Sequence, residues 1–458
     1  MIPQVAALTR PLVQQNLTRL RDANIPGRRN FTGRWTKWRA LAKSLTAKAA
    51  MFRAGATRRN GCPAYAQMSG LISPPRATRV SSVDRGNLLI IADSEHNADM
   101  LYAVGMFVPD PFIYLRLHGK CHIVMNDLEI DRARRQAPHC RVLSFSHYTR
   151  KLRLEGVKKP NLAQVVRLIL RERRLKKIQV PENFPVGLAK KLRDLKIKIK
   201  VKSGDCFPER ELKTTDEIKK ISAALMMAEV GMAEGLQALK SARVGKGRRL
   251  VYHNAPFTAD KLRAIINVAI IQAGGQANNT IVAGGQQGCD PHERGYGPLR
   301  ANEPIILDIF PRSQKTGYFG DITRTVVKGR ATEPVRKLYH TVARGQELGF
   351  EKMRDGARGV DVHQAIQKFF ESQGYKTGKR NGRMEGFFHG TGHGLGMEIH
   401  EAPRVSLTSD DVLRAGQVIT VEPGLYYSPL GGVRLEDVAL ITRNGARNLT
   451  KFEKVLEV

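Results

Sequence analysis

The chain has 458 residues, of which 41% are hydrophobic and 26% are charged, a composition typical of folded globular proteins. It contains no apolar run near the ~18 residues that a membrane-spanning helix needs, so we do not expect an integral membrane protein. The five cysteines are scattered and show no CxxC spacing. We therefore expect neither a disulfide scaffold nor a thiolate zinc site, and the predicted compartment is the reducing cytoplasm.

The net charge of +34 is concentrated in two segments of the chain. Residues 1–85 contain sixteen Lys or Arg residues and two acids, and residues 150–205 contain eighteen and five. A surplus of this size usually indicates a polyanionic partner such as nucleic acid. The stretch 161–178, however, has no aromatic side chains between its cations to stack on bases. We interpret it as a solvated helix face and do not expect nucleic acid as a partner.

The basic segment at the start, residues 1–83, is nearly free of acids and shows no sustained apolar periodicity. We favour a disordered extension, or a start codon placed too far upstream. A mitochondrial transit peptide has the same Arg-rich, acid-poor bias, and the protein is mitochondrial if residues 1–60 are such a peptide. A basic arm that binds nucleic acid is the third interpretation.

Strands and helices alternate from residue 84 onward. The patterns predict, in chain order, a strand at 87–92, a helix at 98–104, a β-hairpin at 112–126 that turns at Gly119, a strand at 141–145 and a helix at 161–178. Asp127 is the expected N-cap of a helix that follows the hairpin. These elements predict a small α/β domain over residues 84–205.

A second domain is predicted over residues 206–458. It opens with a linker at Cys206 and a long amphipathic helix that runs from Thr215 to about Ala242, with acids in its first turn as the helix dipole favours. Cys289 lies near His292, a spacing that would suit a thiol nucleophile, but we interpret this cysteine as a bystander.

Four acidic residues occur in segments of this second domain that otherwise predict buried strands. They are Asp308 in 305–310, Asp321 in 318–327, Glu422 in 418–424 and Glu436 in 431–441. Burying one unpaired carboxylate costs several kcal/mol, so burying four together requires a counter-charge. Divalent metal ions supply that charge, and an oxygen-rich set of ligands favours manganese and similar hard cations.

A glycine-rich segment at 388–403 contains three histidines, His389, His393 and His400. Its glycines allow the backbone to approach a metal ion or a substrate closely. Because the segment accompanies the acidic strands, we interpret the cluster as functional and expect it to supply an imidazole ligand.

Four motifs in order, LDIFPRSQKTGYFGDITRTVVKG, HGTGHGLGMEIHEAP, ITVEPGLYY and GGVRLEDVALIT, resemble those of the pita-bread metallopeptidases. This family comprises aminopeptidase P, prolidase and methionine aminopeptidase. Residues 84–205 are similar to the small N-terminal domain of the aminopeptidase P and prolidase branch. The resemblance implies an α/β (α+β) chain in which a creatinase-like α/β domain precedes a pita-bread catalytic domain.

The resemblance also implies a ligand set for two divalent ions, manganese first, with cobalt or zinc as alternatives. Asp308 would bind one ion, Asp321 and Glu436 would bridge both, and His393 and Glu422 would complete the shell of the second. A hydroxide held between the ions would be the nucleophile. Glu422 would also carry a proton to the departing amine.

Four further residues match positions around the substrate in the family. His292 corresponds to a histidine on the substrate side, His400 to one that stabilises the tetrahedral intermediate, and His389 to one that lines the pocket beyond the cut. Arg434 precedes Glu436 by two positions on a predicted strand, so the two should share a face and Arg434 should orient carboxylates.

The expected activity is removal of an N-terminal residue that precedes proline, from peptides with proline at the second position. An Xaa-Pro dipeptidase is the close alternative, and a methionine aminopeptidase or a non-catalytic relative that binds nucleic acid is more distant. A homodimer is one assembly that the resemblance allows. Two connections depart from the family pattern: the one from Asp308 to Asp321 is slightly longer and the one from Glu422 to Glu436 is short. Both concern substrate preference, and neither removes a ligand.

Overall fold

The computed structural model describes residues 86–458, so the interpretations of residues 1–83 lie outside the described residues. Within the described part, no helix combines the length and the apolar character needed to cross a membrane.

The first part of the described chain is a six-stranded mixed sheet in the order β4-β3-β2-β1-β5-β6, with helices against it. Its elements are β1 (Leu88–Ala92), α1 (Ala98–Val104), β2 (Phe112–Leu117), β3 (Lys120–Met125), α2 (Ile130–Gln136), β4 (Arg141–Ser144), α3 (Phe145–Leu154), α4 (Leu162–Glu172), β5 (Lys177–Val180), α5 (Val186–Asp194) and β6 (Lys198–Val201). Separate apolar clusters lie on the two faces of this sheet, so the strands read as near-continuous hydrophobic runs. A domain boundary at residue 205 stays a prediction.

The structure confirms the first strand, the first helix and the hairpin, which turns at Gly119 with φ +77°. Two local predictions were wrong. Helix α2 begins at Ile130 rather than after Asp127, which instead accepts a hydrogen bond of 2.6 Å from the Ser146 hydroxyl. The helix predicted over 161–178 ends at Glu172, because Lys177–Val180 pairs with neighbouring strands as β5. Strand pairing across the sheet overrides local periodicity there.

Cys121 and Cys140 form a disulfide, which the sequence did not predict. Strands β3 and β4 are parallel neighbours with His122 opposite Arg141, so the two cysteines lie opposite each other one position earlier. Cys206 and Cys289 are buried free thiols. We predicted a reducing compartment because the cysteine spacing suggested no disulfide. The pairing of Cys121 with Cys140 differs from that expectation.

The second part of the described chain contains four long helices and seventeen short strands. The helices are α6 (Thr215–Ser241), α7 (Ala259–Gln272), α8 (Glu333–Lys352) and α9 (Gly359–Ser372). The strands are β7 (Arg243–Val244), β8 (Leu250–Tyr252), β9 (Ala255–Pro256), β10 (Gly275–Gln276), β11 (Ile281–Gly284), β12 (Pro304–Ile309), β13 (Arg312–Ser313), β14 (Ile322–Val327), β15 (Gly378–Arg380), β16 (Arg383–Glu385), β17 (Gly392–Gly394), β18 (Glu401–Val405), β19 (Val418–Val421), β20 (Gly424–Tyr427), β21 (Gly431–Arg434), β22 (Asp437–Thr442) and β23 (Gly445–Asn448).

The predicted long helix is confirmed as α6, and its start has a clear local cause. Thr214 and Glu217 form a capping box, in which the threonine hydroxyl accepts from the Glu217 backbone N–H and the glutamate accepts from the Thr214 N–H. Such a box satisfies backbone donors that would otherwise lack partners at the helix start.

Two sheets, each backed by a pair of helices, form the frame of this second part. Helices α6 and α7 pack on the sheet β11-β12-β14, and α8 and α9 pack on the sheet β18-β17-β19-β22-β23. Side chains alternate along each strand, so the face turned away from the helices is free for polar residues. On β12, Leu307 and Ile309 point to the helices while Asp308 points the other way.

Arg324 on β14 connects the two sheets and the C-terminal segment, with only 1% of its surface exposed. Its guanidinium donates to Asp437 Oδ1 at 2.8 Å and to the backbone oxygens of Glu436, Phe452 and Glu453 at 2.6, 2.6 and 3.0 Å. This side chain therefore supplies donors to a buried carboxylate and to backbone oxygens from separate segments of the chain.

We predict that Arg324→Met destabilises the protein by about 1–3 kcal/mol, because Asp437 Oδ1 and several backbone carbonyls lose their donor. The loss is limited because Lys454 and Asn448 still donate to Asp437 Oδ2. Urea unfolding measures the change. Arg344→Met is the matched control, since Arg344 pairs with Glu347 and Glu351 at an exposed position and should matter little. Equal losses in the two variants would contradict the prediction.

Candidate active site

The sequence-predicted site residues line one cavity of about 810 Å³. Its lining includes Asp308, Asp321, Glu422, Glu436, His292, His389, His393, His400, Arg404 and Arg434. All ten residues belong to the second part of the chain, where the polar faces of its two sheets and the glycine-rich segment at 388–403 meet.

Three of the four acids lie at strand ends rather than inside strands. Asp321 immediately precedes β14, Glu422 immediately follows β19, and Glu436 lies between β21 and β22, while only Asp308 is within a strand, β12. The last ladder pair of β19 and β22 is Val421 opposite Asp437, so Glu422 and Glu436 face each other one step beyond it. Like charges at directly opposite positions repel.

His393 lies beside three of the four acids, Asp321, Glu422 and Glu436. Its Nε2 atom is 3.2 Å from Glu422 Oε1 and 3.9 Å from Asp321 Oδ2. Ligand atoms of Asp321, His393 and Glu436 all lie within 4.8 Å of one another, and all three residues are buried. Carboxylate oxygens and an imidazole nitrogen at such distances can hold a divalent metal ion.

The negative charges of the buried acids repel one another. Burial raises the pKa of Asp321 and of Glu436 well above the usual values, and the neighbouring carboxylates raise both further. Burial also raises the pKa of Asp308, although Arg434 counteracts it. For Glu422, contact with His393 outweighs the effect of burial and lowers the pKa to about 2. A bound cation would relieve the repulsion among the acids.

Two threonines that the sequence analysis did not single out hold the glutamates. Thr323 donates to Glu436 Oε2 at 2.7 Å, and Thr420 donates to Glu422 Oε1 at 3.2 Å. Each lies two positions from a site acid along the chain, Thr323 after Asp321 and Thr420 before Glu422, which puts it on the same face. That spacing was the available signal.

Arg434 donates to Asp308 Oδ2 at 2.7 Å and to the Tyr426 hydroxyl at 3.0 Å. The same hydroxyl lies 2.8 Å from His389 Nε2. The arginine therefore contacts the acid on β12 rather than its strand neighbour Glu436, and Tyr426 connects it to His389. Burial lowers the pKa of His389 to about 4, so this imidazole is neutral at pH 7.

His400 packs edge-to-face on His393, with ring centroids 4.3 Å apart, and His292 lines the same cavity. The turn before His400 is held by Glu401, which accepts from the backbone N–H groups of Met397 and Glu398 at 2.9 and 3.1 Å. Glu401 is itself paired with buried Lys213 at 2.8 Å and with Arg210 at 2.6 Å.

Arg404 is a cavity residue that the sequence analysis missed. Among the ion pairs of the described residues, none includes its guanidinium, whereas Arg434 is paired with Asp308. Its backbone is held by Asp411 and Ser409. Arg404 directly follows the glycine-rich segment at 388–403 and pairs with His393 across β17 and β18, a cross-strand contact that spacing along the chain does not show.

Comparison with known proteins gives a family and a fold. Residues 219–443 match the model of metallopeptidase family M24. An Xaa-Pro dipeptidase of Pyrococcus furiosus is 33% identical over 248 residues, which cover 54% of this chain and 65% of that protein. An Xaa-Pro dipeptidase of Pyrococcus horikoshii is 32% identical over 285 residues, 62% of this chain and 75% of that protein.

The solved structure of an X-Pro aminopeptidase from Thermotoga maritima superimposes with a TM-score of 0.68 at 22% identity, covering 81% of this chain and 97% of that one. This likeness confirms the expected fold class, an α/β chain with a pita-bread catalytic part. A metallopeptidase family agrees with a cavity that is lined by acids and histidines. The second dipeptidase matches this family assignment over 75% of its own length. The chain belongs to metallopeptidase family M24.

Proposed function

We propose that this protein is a dinuclear metallopeptidase that removes the N-terminal residue from peptides with proline at the second position. The observation that carries the proposal is the cluster of buried acids around His393, inside a cavity that also contains three further histidines. An Xaa-Pro dipeptidase is the second candidate. The names of the two Pyrococcus relatives favour it, while the name of the Thermotoga structure favours the aminopeptidase.

The proposed ligands are Asp308, Asp321, His393, Glu422 and Glu436. Their chemistry fits two divalent ions, because four carboxylates and one imidazole form an oxygen-rich set whose own charges repel. We propose manganese first, with cobalt or zinc as alternatives. When bound, such ions act as Lewis acids that activate water and polarise a carbonyl.

The protein side chains supply proton transfer and orientation. Glu422 is the proposed carrier of the proton from water to the departing amine. It is fixed by Thr420 and by the Thr391 carbonyl, which accepts from the Glu422 backbone N–H at 2.8 Å. A general base held from both ends needs little reorganisation during the reaction.

The histidines surround the place where the substrate would bind. His400, beside His393, is proposed to donate to the developing oxyanion, since donors aimed at that charge stabilise the transition state. His292 and His389, which line the same cavity, are also proposed to contact the substrate. The Tyr426 hydroxyl holds His389 and connects it to Arg434. Arg434 in turn holds Asp308 in place.

Arg404 is relevant to whether the substrate is a dipeptide or a longer peptide. A dipeptide carries its carboxylate on the proline itself, close to the cut, and a guanidinium recognises a carboxylate strongly. Arg404 lines the same cavity as the proposed ligands and has no ion-pair partner among the described side chains. This arrangement is the structural feature that supports the dipeptidase alternative.

Asp321→Asn is predicted to abolish hydrolysis, with kcat/KM reduced more than ~100-fold, because removing a ligand costs more than the 10–100-fold loss typical of its supporting contacts. The measurement is hydrolysis of an Xaa-Pro peptide by the full chain with manganese, together with metal content after dialysis. Asp131→Asn, at an exposed position on α2, is the control. Retention of both metal and activity in Asp321→Asn would refute the proposed site.

A matched substrate panel is predicted to show cleavage that depends on proline. The panel pairs Xaa-Pro dipeptides with longer Xaa-Pro peptides and adds peptides that begin with methionine and a small residue. Release of methionine alone would overturn the assignment to proline-directed cleavage.

If dipeptides are the substrates, Arg404→Gln should raise the KM for dipeptides at least ~10-fold, because the variant lacks a charged hydrogen bond to their carboxylate. The KM for longer peptides should stay unchanged.

A further inference from the structure

Gln346 is a fully buried side chain on helix α8 that lies behind the site. Its Nε2 atom donates to the carbonyl oxygen of Val421 at 2.8 Å and to that of Leu435 at 3.1 Å. Val421 immediately precedes Glu422, and Leu435 immediately precedes Glu436. One amide nitrogen therefore joins the peptide groups that lead into two proposed metal ligands.

The two glutamates need such a connection. They face each other one step beyond the last ladder pair of β19 and β22, where the strands no longer hold each other. Their carboxylates repel, and each backbone N–H is bound to a different partner: Glu422 to the Thr391 carbonyl and Glu436 to the Thr323 carbonyl. Gln346 bonds the carbonyl side of both peptides and so opposes their separation.

The orientation of the Gln346 amide is determined by its neighbours. With the amide reversed, its oxygen would face two carbonyl oxygens, which cannot donate. Its own Oε1 accepts no hydrogen bond from the described residues. A buried oxygen without a donor lowers the stability of the fold. The two hydrogen bonds made by Nε2 are therefore the interactions that favour a glutamine at this position.

Two glycines bring α8 close enough for this contact. A Cβ atom on Gly345 would lie 2.4 Å from the Phe370 ring, and one on Gly349 would lie 3.0 Å from Val421 Cγ1. The sequence Gly345–Gly349 therefore packs the helix tightly on α9 and on β19. A short, rigid path joins Gln346 to the proposed ligands.

We propose that Gln346 is a positioning residue that sets the spacing of Glu422 and Glu436 and thereby the affinity of the site for divalent cations. This inference rests on the proposed function, because it takes these glutamates as metal ligands. Gln346 touches neither substrate nor metal. It acts through the backbone of the two residues that do.

The test is Gln346→Met, which keeps the side-chain volume close to that of glutamine and removes both donors. Binding of Mn²⁺ to the metal-free full chain is measured by calorimetric titration, and the melting temperature of the metal-free protein is measured in parallel. We expect Mn²⁺ affinity to fall 10–100-fold, as is typical when an outer contact of a metal site is lost. In kinetics, kcat should fall while KM stays close to that of the wild type.

Thr341→Val is the matched control on the same helix. Thr341 is buried, and its hydroxyl donates to the Lys337 carbonyl within α8 and contacts the Tyr375 hydroxyl, neither of which belongs to a proposed metal ligand. This variant should lower the melting temperature without changing Mn²⁺ affinity. If Gln346→Met does the same, Gln346 has a merely structural role and the proposal is overturned.

Two outcomes separate this proposal from the proposed function. If the wild-type chain shows no saturable Mn²⁺ binding, the proposed function fails. If the wild type binds Mn²⁺ and Gln346→Met binds it equally well, only the inference about Gln346 fails. Should Gln346→Met not fold, Gln346→Asn keeps the amide on a shorter side chain that cannot span both carbonyls, and the same two results apply to it.

Discussion

Repulsion among buried carboxylates is the constraint on which this structure depends. Asp321 and Glu436 are buried, and burial together with the neighbouring carboxylates raises the cost of ionising each of them. Such an arrangement is stable only when the carboxylates are protonated or when a cation binds them. The imidazole of His393 lies close enough to both carboxylates to share a metal ion with them, which favours the cation. The family of the chain, M24, is one of metallopeptidases.

The surrounding fold supplies what the acids cannot supply for themselves. Two sheets, each stiffened by a helix pair on its outer face, present their polar faces to one cavity. Arg324 ties the sheets and the C-terminal segment together from behind, and Arg434 holds Asp308 from within the cavity. Arg324 balances Asp437, an acid outside the proposed ligand set, whereas Arg434 balances Asp308, which belongs to it. Asp321 and Glu436 form an ion pair with neither arginine, so their charge remains available to a cation.

How far the site could be predicted from sequence differs between residues. Asp308 and His393 stand out because an acid inside an apolar run and a histidine among glycines violate local expectations. Thr323, Thr420 and Arg404 do not, since polar residues of these types are ordinary on strands. No sequence pattern indicated Gln346, because the two carbonyls that it binds are distant in the chain. They lie 75 and 89 residues after it.

The sequence by itself determined the order of the four motifs, the identity of the acids and histidines, and the elements with strong local signals, such as the capped helix α6 and the hairpin at Gly119. Tertiary structure alone decided which residues meet. It ended the predicted helix over 161–178 by pairing β5, joined Cys121 to Cys140 across parallel strands, and put three acids at strand ends. Spacing along a chain specifies local backbone conformation, whereas contacts between distant residues depend on how separate elements pack.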